Sequence, residues 1–266
     1  MGTWLEVALD YIPRWLDYQL RQSEQPGCAI AIVHEGELVL ERAFGLADLP
    51  SGEVLTPRHR FRVASHSKSF TAAGILKLRE QGKLRLDDPV GRYVGDLHPD
   101  IAAATIAQLL SHSAGVARDG LDMEYWLGRR PVLDAKALRA HLAGGPLIEA
   151  NTRLKYSNHG YGLLGLVIEA ATGETYRDWM AREIVAPDGL RETEPDMPLA
   201  AAAPLARGHS GKLPLGRRVV NPGERPANAL APGAGFVSTA RTWPASSTNW
   251  RPTRKPACSR WRAGAR

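Results

Sequence analysis

The chain alternates between apolar positions with helical spacing and short apolar runs typical of strands. Residues 3–22 predict an amphipathic helix that is kinked or restarted at Pro13, because proline interrupts the hydrogen-bond ladder of a helix. Two short runs rich in β-branched residues then flank the polar residues 34–37, a pattern that favours a β-hairpin. We therefore expect the chain to open with a helix followed by two antiparallel strands.

Helical patterns dominate the middle of the chain. The predicted helices are residues 66–81, a short helix within TIAQLLSHSAG, residues 134–143, an apolar helix that stops at Gly173, and residues 175–185. From about residue 187 to residue 236 the chain is rich in Pro, Gly and Ala, which favours loops and short strands. Early strands and central helices together predict an α+β fold, with a sheet on one side and a helical region on the other.

Positive charge is concentrated at one end of the chain. The 266 residues carry a net charge of +6, but residues 241–266 contain six Arg, one Lys and no acidic residue. The preceding residues therefore sum to −1, and no nucleic-acid partner is expected for them. The tail has two interpretations: a basic disordered segment that touches nucleic acid or membrane, or a stretch never selected as folded protein, such as out-of-frame translation.

Several classes of protein are disfavoured by what the sequence lacks. No run of about 18 apolar residues is present, so no membrane span is predicted. The N-terminus lacks a basic region and a small-residue cleavage site, so we expect a cytoplasmic location. The two cysteines, Cys28 and Cys258, suggest no disulfide framework. No Cys/His cluster has zinc spacing and no Gly-rich phosphate loop precedes a helix, so neither a metal nor a cofactor is predicted.

The stretch FRVASHSKSFTAAG places Ser65 and Lys68 three residues apart at the start of a predicted helix. Residues with this spacing lie on one helix face, within hydrogen-bonding reach. A serine in the first turn lies near free backbone N–H groups, and a desolvated lysine can lose its proton and act as a base. The pair can therefore form an activated nucleophile without a histidine. The alternatives are a chance match and a simple N-cap role for Ser65.

A second candidate element is KYSNHGYGLLG, in which Tyr156 and Asn158 open an apolar helix. A tyrosine hydroxyl near an ammonium group is pushed toward phenolate and can serve as a general base. An asparagine amide can orient a lysine or a substrate carbonyl. The alternatives are that Tyr156 packs at the edge of the core and that Asn158 caps the helix.

Taken together, these motifs resemble the serine beta-lactamase and penicillin-binding-protein superfamily, and specifically its branch of class C beta-lactamases, related carboxylesterases and D-aminopeptidases. The resemblance covers roughly residues 22–240. It is carried by five stretches in order: PGCAIAIVHEGELVLERAFGLAD, FRVASHSKSFTAAGILKLREQGKLRLDDPVGRYV, TIAQLLSHSAGV, LKYSNHGYGLLGLVIEAATG and APGAGFVSTA. It implies a beta-lactamase-like α+β fold, in which an antiparallel sheet is flanked by helices and accompanied by an all-helical region.

The resemblance also implies a role for each candidate residue. Ser65 would be the acylated nucleophile, and its backbone N–H would form half of an oxyanion hole. Lys68 would accept its proton or hold Tyr156 deprotonated, and Tyr156 would be the base that later protonates the leaving group. Asn158 would hydrogen-bond Lys68 and the substrate. Ser67, where the family more often has Thr, is a conservative departure.

The chain departs from the family in its last part. The family carries a Lys/His-x-Gly element on a late strand that supplies the second oxyanion N–H. The local match at His209 precedes APGAGFVSTA, whereas the family's element follows it, so we do not assign His209 this role. We expect a hydrolase domain over residues 1–240 whose C-terminal strands are missing or abnormal, and a tail of non-family character over residues 241–266, most simply a frameshift or truncation.

Three functional hypotheses follow. The first is a serine hydrolase that acylates and deacylates Ser65 with an ester, a small amide, a D-amino-acid peptide or a beta-lactam, weakly or not at all because the third motif is missing. The second is a catalytically inactive homologue that binds a peptide or another ligand in the same cleft. The third is an interaction module built on the basic tail. The expected partner is a small-molecule or peptide substrate, and the oligomeric state is left open.

Overall fold

The computed structural model describes residues 3–120, 124–128, 130–199, 204–213, 216–221 and 223–242. The helices are α1 (Thr3–Ser23), α2 (Ser67–Glu80), α3 (Pro99–Ala103), α4 (Ile106–Leu110), α5 (Ala135–Leu142), α6 (Asn158–Thr172), α7 (Tyr176–Met180) and α8 (Ala231–Ala234). The strands are β1 (Gly27–His34), β2 (Glu37–Asp48), β3 (Glu53–Val54), β4 (Phe61–Arg62), β5 (Gly208–His209), β6 (Val220–Asn221) and β7 (Val237–Ser238). The predicted tail lies almost entirely outside the described residues.

The predicted β-hairpin is formed by β1 and β2. Its antiparallel register pairs His34 with Glu37 across a two-residue turn. Both turn residues, Glu35 and Gly36, have positive φ angles, which is the conformation of a type I′ turn. Such a turn matches the twist of the strands, so the local sequence fixes the hairpin and its register.

A three-stranded antiparallel sheet in the order β1-β2-β3 contains this hairpin. Within the described residues β1 pairs only with β2, so its other edge is open. Helix α1 contacts the hairpin through Trp4, whose ring meets that of His34 edge-on at 5.5 Å. The helix continues through Pro13 without the predicted restart. Several large apolar side chains of this helix, Trp4 among them, are nevertheless exposed.

The main core lies in the helical region and centres on α6. Residues 158–168 of this helix are all buried, and α2 packs beside it, with its side chains Ile75 and Leu78 fully buried. Phe70 of α2 stacks on Phe236, with ring centroids 4.3 Å apart. The stack joins the end of the chain's described part to the helix that begins just after Ser65.

Close approach of α8 to α6 depends on glycine. A Cβ at Gly165 would lie 2.3 Å from Cγ of Pro232, and one at Gly162 would lie 2.7 Å from the carbonyl oxygen of Ala229. The absence of side chains at these two positions lets the segment before β7 lie directly against α6. This contact places Gly233 near the start of both α2 and α6.

The α+β class is confirmed, and the predicted helices of the middle region are all present. The helical stretch predicted after Gly173, residues 175–185, is split into α7 and a π-helical turn, Ala181–Val185. Gly173 ends α6 with a φ of 75°, as expected for a C-terminal glycine. Across the part of the chain that the structure describes, no helix is both long enough and apolar enough to cross a membrane.

Candidate active site

Ser65 lies in a short 3₁₀ turn, Ala64–His66, that leads directly into α2. The turn is held from both sides. Upstream, the N–H of Val63 donates to the carbonyl of Phe236 at 2.9 Å. Downstream, the buried hydroxyl of Ser67 donates to the carbonyl of Ala64 at 2.6 Å and accepts from the N–H of Phe236 at 3.0 Å. A threonine would supply the same hydroxyl, so Ser67 is a conservative replacement in this structure as well.

Backbone strain accompanies this turn. Ala64 has a φ of 46°, a left-handed conformation that is unfavourable for a residue with a Cβ. The adjacent Ser65 is exposed, and its side chain does not cap α2, because no side-chain cap hydrogen bond is present at that helix start. The hydroxyl instead meets Tyr156, with 2.6 Å between Oγ and the phenolic oxygen. The simple N-cap interpretation of Ser65 is therefore wrong.

Lys68 is buried one turn further along, with only 7% of its surface exposed. Its Nζ donates to Oδ1 of Asn158 and to the carbonyl of Gly233, both at 2.7 Å, and lies 3.5 Å from Oγ of Ser65. Burial lowers the pKa of the Lys68 ammonium, while Tyr156 and the nearby carboxylate of Asp119 act in the opposite direction. The net shift of the pKa is downward, and the neutral amine is the form that can accept a proton.

Tyr156 links the two groups. Its hydroxyl contacts Ser65, and Nζ of Lys68 lies 4.8 Å from the centre of its ring. The loop that carries it is anchored by His112, whose Nδ1 accepts from the N–H of Ser157 at 3.1 Å and whose carbonyl accepts from the N–H of Lys155 at 2.7 Å. The His112 ring also packs on Tyr156 with centroids 4.5 Å apart.

Asn158 is the first residue of α6, but its side chain does not cap the helix. Ser157 does so, because its Oγ accepts from the N–H of Gly160 at 2.7 Å. The Asn158 amide is buried between Lys68 on one side and Asp119 on the other. The helix-cap interpretation of Asn158 is thus also wrong, and its amide belongs to the polar cluster.

The four residues singled out in the sequence are therefore brought together by three separate elements: the turn before α2, α2 itself and the start of α6. Two further participants were not predicted. The carbonyl of Gly233 accepts from Lys68, and the carboxylate of Asp119 accepts from Asn158. Gly233 lies in APGAGFVSTA, one of the five stretches that carry the resemblance, but nothing in that stretch marks its carbonyl as a partner of Lys68. Asp119 lies outside all five stretches, so the sequence offered no signal for it.

Comparison with known proteins places this geometry in a family. Residues 13–243 match the protein family described as Beta-lactamase. The chain belongs to the beta-lactamase family. The match covers most of the chain and includes all four residues of the cluster.

Proteins similar to this chain in sequence or in structure include penicillin-binding proteins and beta-lactamases. Penicillin-binding protein 4* of Bacillus subtilis (strain 168) is 30% identical over 177 residues, which are 65% of this chain and 39% of that protein. The octameric penicillin-binding protein homologue from Pyrococcus abyssi has a TM-score of 0.77 and 26% identity, and the match covers 88% of this chain and 54% of that one. The class C beta-lactamase from Rhodobacter sphaeroides has a TM-score of 0.72 and 26% identity, and the match covers 88% of this chain and 63% of that one.

These matches confirm the beta-lactamase-like fold that the motifs implied. The chain spans well under two thirds of the length of the curated relatives that it matches. The part of the fold that carries the serine cluster is thus present here, while the longer relatives have additional chain.

The family's third motif has no counterpart at His209. The imidazole Nε2 accepts from the N–H of Leu49 at 3.2 Å and lies 3.8 Å from Oδ1 of Asp48, so the ring is engaged with the end of β2. This environment supports the argument from chain order against His209 as the third-motif histidine.

A cavity of about 300 Å³ lies beside β4 and the end of α8, and none of the four predicted site residues is in its lining. It is lined in part by Phe61, Tyr125, Trp126 and Ala234. Ala234 directly follows the Gly233 carbonyl that binds Lys68. A larger cavity, of about 570 Å³ beside Leu147, includes none of the four predicted site residues in its lining.

Proposed function

We propose that the chain is a serine hydrolase that works by acylation and deacylation of Ser65. The observation that carries the proposal is the contact of 2.6 Å between Oγ of Ser65 and the hydroxyl of Tyr156, next to the buried amine of Lys68. A nucleophile, a base and a group that orients the base are the parts that nucleophilic catalysis requires. Membership of the beta-lactamase family supports the same reaction class.

In the proposed acylation, Oγ of Ser65 attacks the acyl carbon as its proton passes to Tyr156 or, through it, to neutral Lys68. The bond between the acyl carbon and the leaving group breaks, and the leaving group takes the proton from Tyr156. Water then attacks the acyl-serine ester as one of its protons passes to the same base. The bond between the acyl carbon and Oγ of Ser65 breaks, the carboxylic acid is released, and Oγ takes the proton back from the base. The hydrogen bonds from Lys68 to Asn158 and Gly233 keep the amine next to Tyr156 throughout.

The backbone N–H of Ser65 is a suitable donor for the developing oxyanion, because the first N–H groups of a helix have no intrahelical acceptor. The sequence supplies no recognisable third motif to give a second donor. Loss of one oxyanion donor typically costs about 100- to 1000-fold in rate. We therefore expect slow turnover by this chain, with acylation easier to detect than steady-state hydrolysis.

Esters, small amides, D-amino-acid peptides and beta-lactams are the substrate classes we propose. Two relatives are named as a penicillin-binding protein and a class C beta-lactamase, which supports beta-lactams as probes of acylation. The exposure of Ser65 fits an acyl donor that approaches from solvent.

Intact mass spectrometry after treatment with a fluorophosphonate, and separately with a penicillin, tests the proposal. Wild type, Ser65→Ala and a control, Ser69→Ala, are compared, since Ser69 is an exposed serine in the first turn of α2, the helix that follows Ser65. We expect one adduct on wild type and on Ser69→Ala and none on Ser65→Ala. Absence of an adduct on wild type that melts cooperatively would refute the nucleophile role.

The second candidate function is a catalytically inactive protein that binds a peptide or acyl ligand in the same cleft. The missing third motif favours it. It predicts no covalent adduct on the folded chain but saturable, reversible binding of a penicillin or of a D-amino-acid peptide, which isothermal calorimetry would detect.

A further inference from the structure

Asp119 is a buried carboxylate that the proposed reaction does not use directly. Only 2% of its surface is exposed, although it lies in the loop that follows α4. Its Oδ1 accepts from Nδ2 of Asn158 at 2.5 Å and from the indole Nε1 of Trp126 at 3.1 Å. Nε of Arg118 lies 2.9 Å from Oδ2. Such a group is costly to bury, so its position calls for a compensating interaction.

The Asn158 amide is held between two partners of opposite character. The ammonium form of Lys68 can only donate, so it requires the amide oxygen, and the ionised carboxylate of Asp119 can only accept, so it requires the amide nitrogen. Both demands select the same orientation of the amide. Rotation of the amide by 180° would lose both hydrogen bonds at once.

We propose that Asp119 is a positioning residue that fixes the orientation of the Asn158 amide and thereby holds Nζ of Lys68 within reach of Ser65 and Tyr156. The inference rests on the proposed function, because the reacting atoms that it positions are those of the Ser65 reaction. Asp119 itself contacts neither Ser65 nor Lys68 by hydrogen bond; it acts through Asn158.

The isosteric change Asp119→Asn removes the contribution of Asp119 to this selection. A second asparagine can donate or accept, so only Lys68 then selects the orientation of the Asn158 amide. The neutral amine of Lys68 can also accept, and in that form the selection is lost. The matched control is Trp126→Phe, which removes the other hydrogen-bond donor to the same carboxylate oxygen and leaves the contact with Asn158 in place.

The charge of Asp119 also affects the titration of Lys68. Burial is the largest influence on the Lys68 pKa and lowers it, Asp119 raises it, and Arg118 lowers it. Loss of the carboxylate therefore lowers the Lys68 pKa further. The titratable and charged groups around Lys68 are Tyr156 and Tyr161, His112, Arg118 and Asp119.

The first test measures the rate of fluorophosphonate labelling of Ser65 as a function of pH. For Asp119→Asn we expect a plateau labelling rate about 10- to 100-fold lower than that of wild type, since misplacement of a catalytic group costs this much. We also expect the midpoint of the pH–rate curve to lie at lower pH, because loss of the carboxylate lowers the Lys68 pKa. Trp126→Phe should keep the wild-type midpoint. In an Asn158→Ala background, Asp119→Asn should have little further effect on the plateau rate, because the two residues position Lys68 as one unit.

A second measurement does not depend on activity. In NMR spectra of protein labelled with ¹⁵N-asparagine, the side-chain amide resonance of Asn158 is assigned as the one that disappears in Asn158→Ala. We expect one strongly deshielded amide proton in wild type and Trp126→Phe, from the short bond to the carboxylate, and its absence in Asp119→Asn. If wild type forms no adduct, the proposed function fails, and this spectrum still decides the role of Asp119.

A thermal melt on each variant detects loss of the fold. If Asp119→Asn does not melt cooperatively, Asp119→Glu takes its place: the charge stays, the carboxylate is displaced by one methylene, and we expect a lower rate with the midpoint unchanged. The proposal would be overturned by any of three outcomes. The Asp119 variant labels at the wild-type rate with the wild-type pH midpoint, the resonance of the Asn158 amide proton is unchanged in that variant, or Asp119→Asn slows labelling as much in the Asn158→Ala background as it does in wild type.

Discussion

At the scale of single residues, the candidate site is a chain of groups with complementary hydrogen-bonding capacity. The carboxylate of Asp119 accepts from Asn158, whose oxygen accepts from Lys68, and Lys68 stands beside the Ser65–Tyr156 contact. Because Lys68 is buried, desolvation lowers its pKa and makes the neutral amine accessible. The proposed nucleophile, Ser65, is thus exposed, and the amine proposed to accept its proton is buried and hydrogen-bonded.

The Tyr156 hydroxyl offers a test at this scale. Tyr156→Phe removes the oxygen that lies 2.6 Å from Oγ of Ser65 while it keeps the ring that packs on His112. We expect fluorophosphonate labelling to slow by about 100- to 10000-fold, as is typical when a general base is removed, with little change in Tm. Tyr161→Phe, which removes a hydroxyl bonded to the Leu110 carbonyl, is the control. Labelling at the wild-type rate would assign the base role to Lys68 alone.

The spacing of the four catalytic candidates was readable from the sequence, because residues three apart on a helix and two apart at a helix start have fixed relative positions. Asp119 was not readable in this way. An acidic residue in a loop is usually solvated, and only the packing of Trp126 and α6 around it makes it a buried partner of Asn158.

At the scale of elements, the site depends on how closely α8 lies against α6. Gly162 and Gly165 permit this approach, and it brings the Gly233 carbonyl to within 2.7 Å of Nζ of Lys68. The hairpin and the helix boundaries follow from local signals: a two-residue turn with positive φ, capping by Ser157 and the stop at Gly173. The α6–α8 contact has no such local signal, since a glycine within a helix does not reveal in the sequence which other segment packs against it.

A Cβ at position 165 should disturb the site from a distance. In Gly165→Ala the new Cβ would lie 2.3 Å from Pro232, so α8 must move away from α6. We expect a loss of about 1–3 kcal/mol in the free energy of unfolding, as is typical of overpacking, and slower labelling of Ser65 because the Gly233 carbonyl shifts. Denaturant unfolding and labelling kinetics measure the two effects. Gly95→Ala, where the space around the Cβ is open, should leave both unchanged; equal behaviour of the two variants would contradict the argument.

At the scale of the whole molecule, two surfaces stand out. The outer edge of β1 is unpaired within the described residues, and α1 exposes a row of large apolar side chains. The row consists of Trp4, Val7, Tyr11, Trp15 and Tyr18. Open strand edges and contiguous apolar patches both promote association. Both surfaces are therefore expected to favour association of this chain.

Self-association should respond to changes on this helix face. In the double variant Tyr11→Glu and Trp15→Glu, we expect a lower average mass in light scattering at equal protein concentration, with the Tm nearly unchanged because both side chains are exposed. Gln19→Glu adds a negative charge to the same helix without removing an aromatic ring and serves as the control. The same average mass in wild type and the double variant would show that the apolar face does not drive association.

The sequence by itself determined the elements and the spacing of the four site residues, since helical periodicity, turn chemistry and capping are local properties of the chain. It also carried the family resemblance, because the motifs lie in order along one stretch. The tertiary structure alone decided which groups meet: that Tyr156 reaches Ser65, that Gly233 and Asn158 share Lys68, and that Asp119 is buried. Those contacts join residues about 90 to 165 positions apart, or depend on burial by distant elements, and no local pattern encodes either.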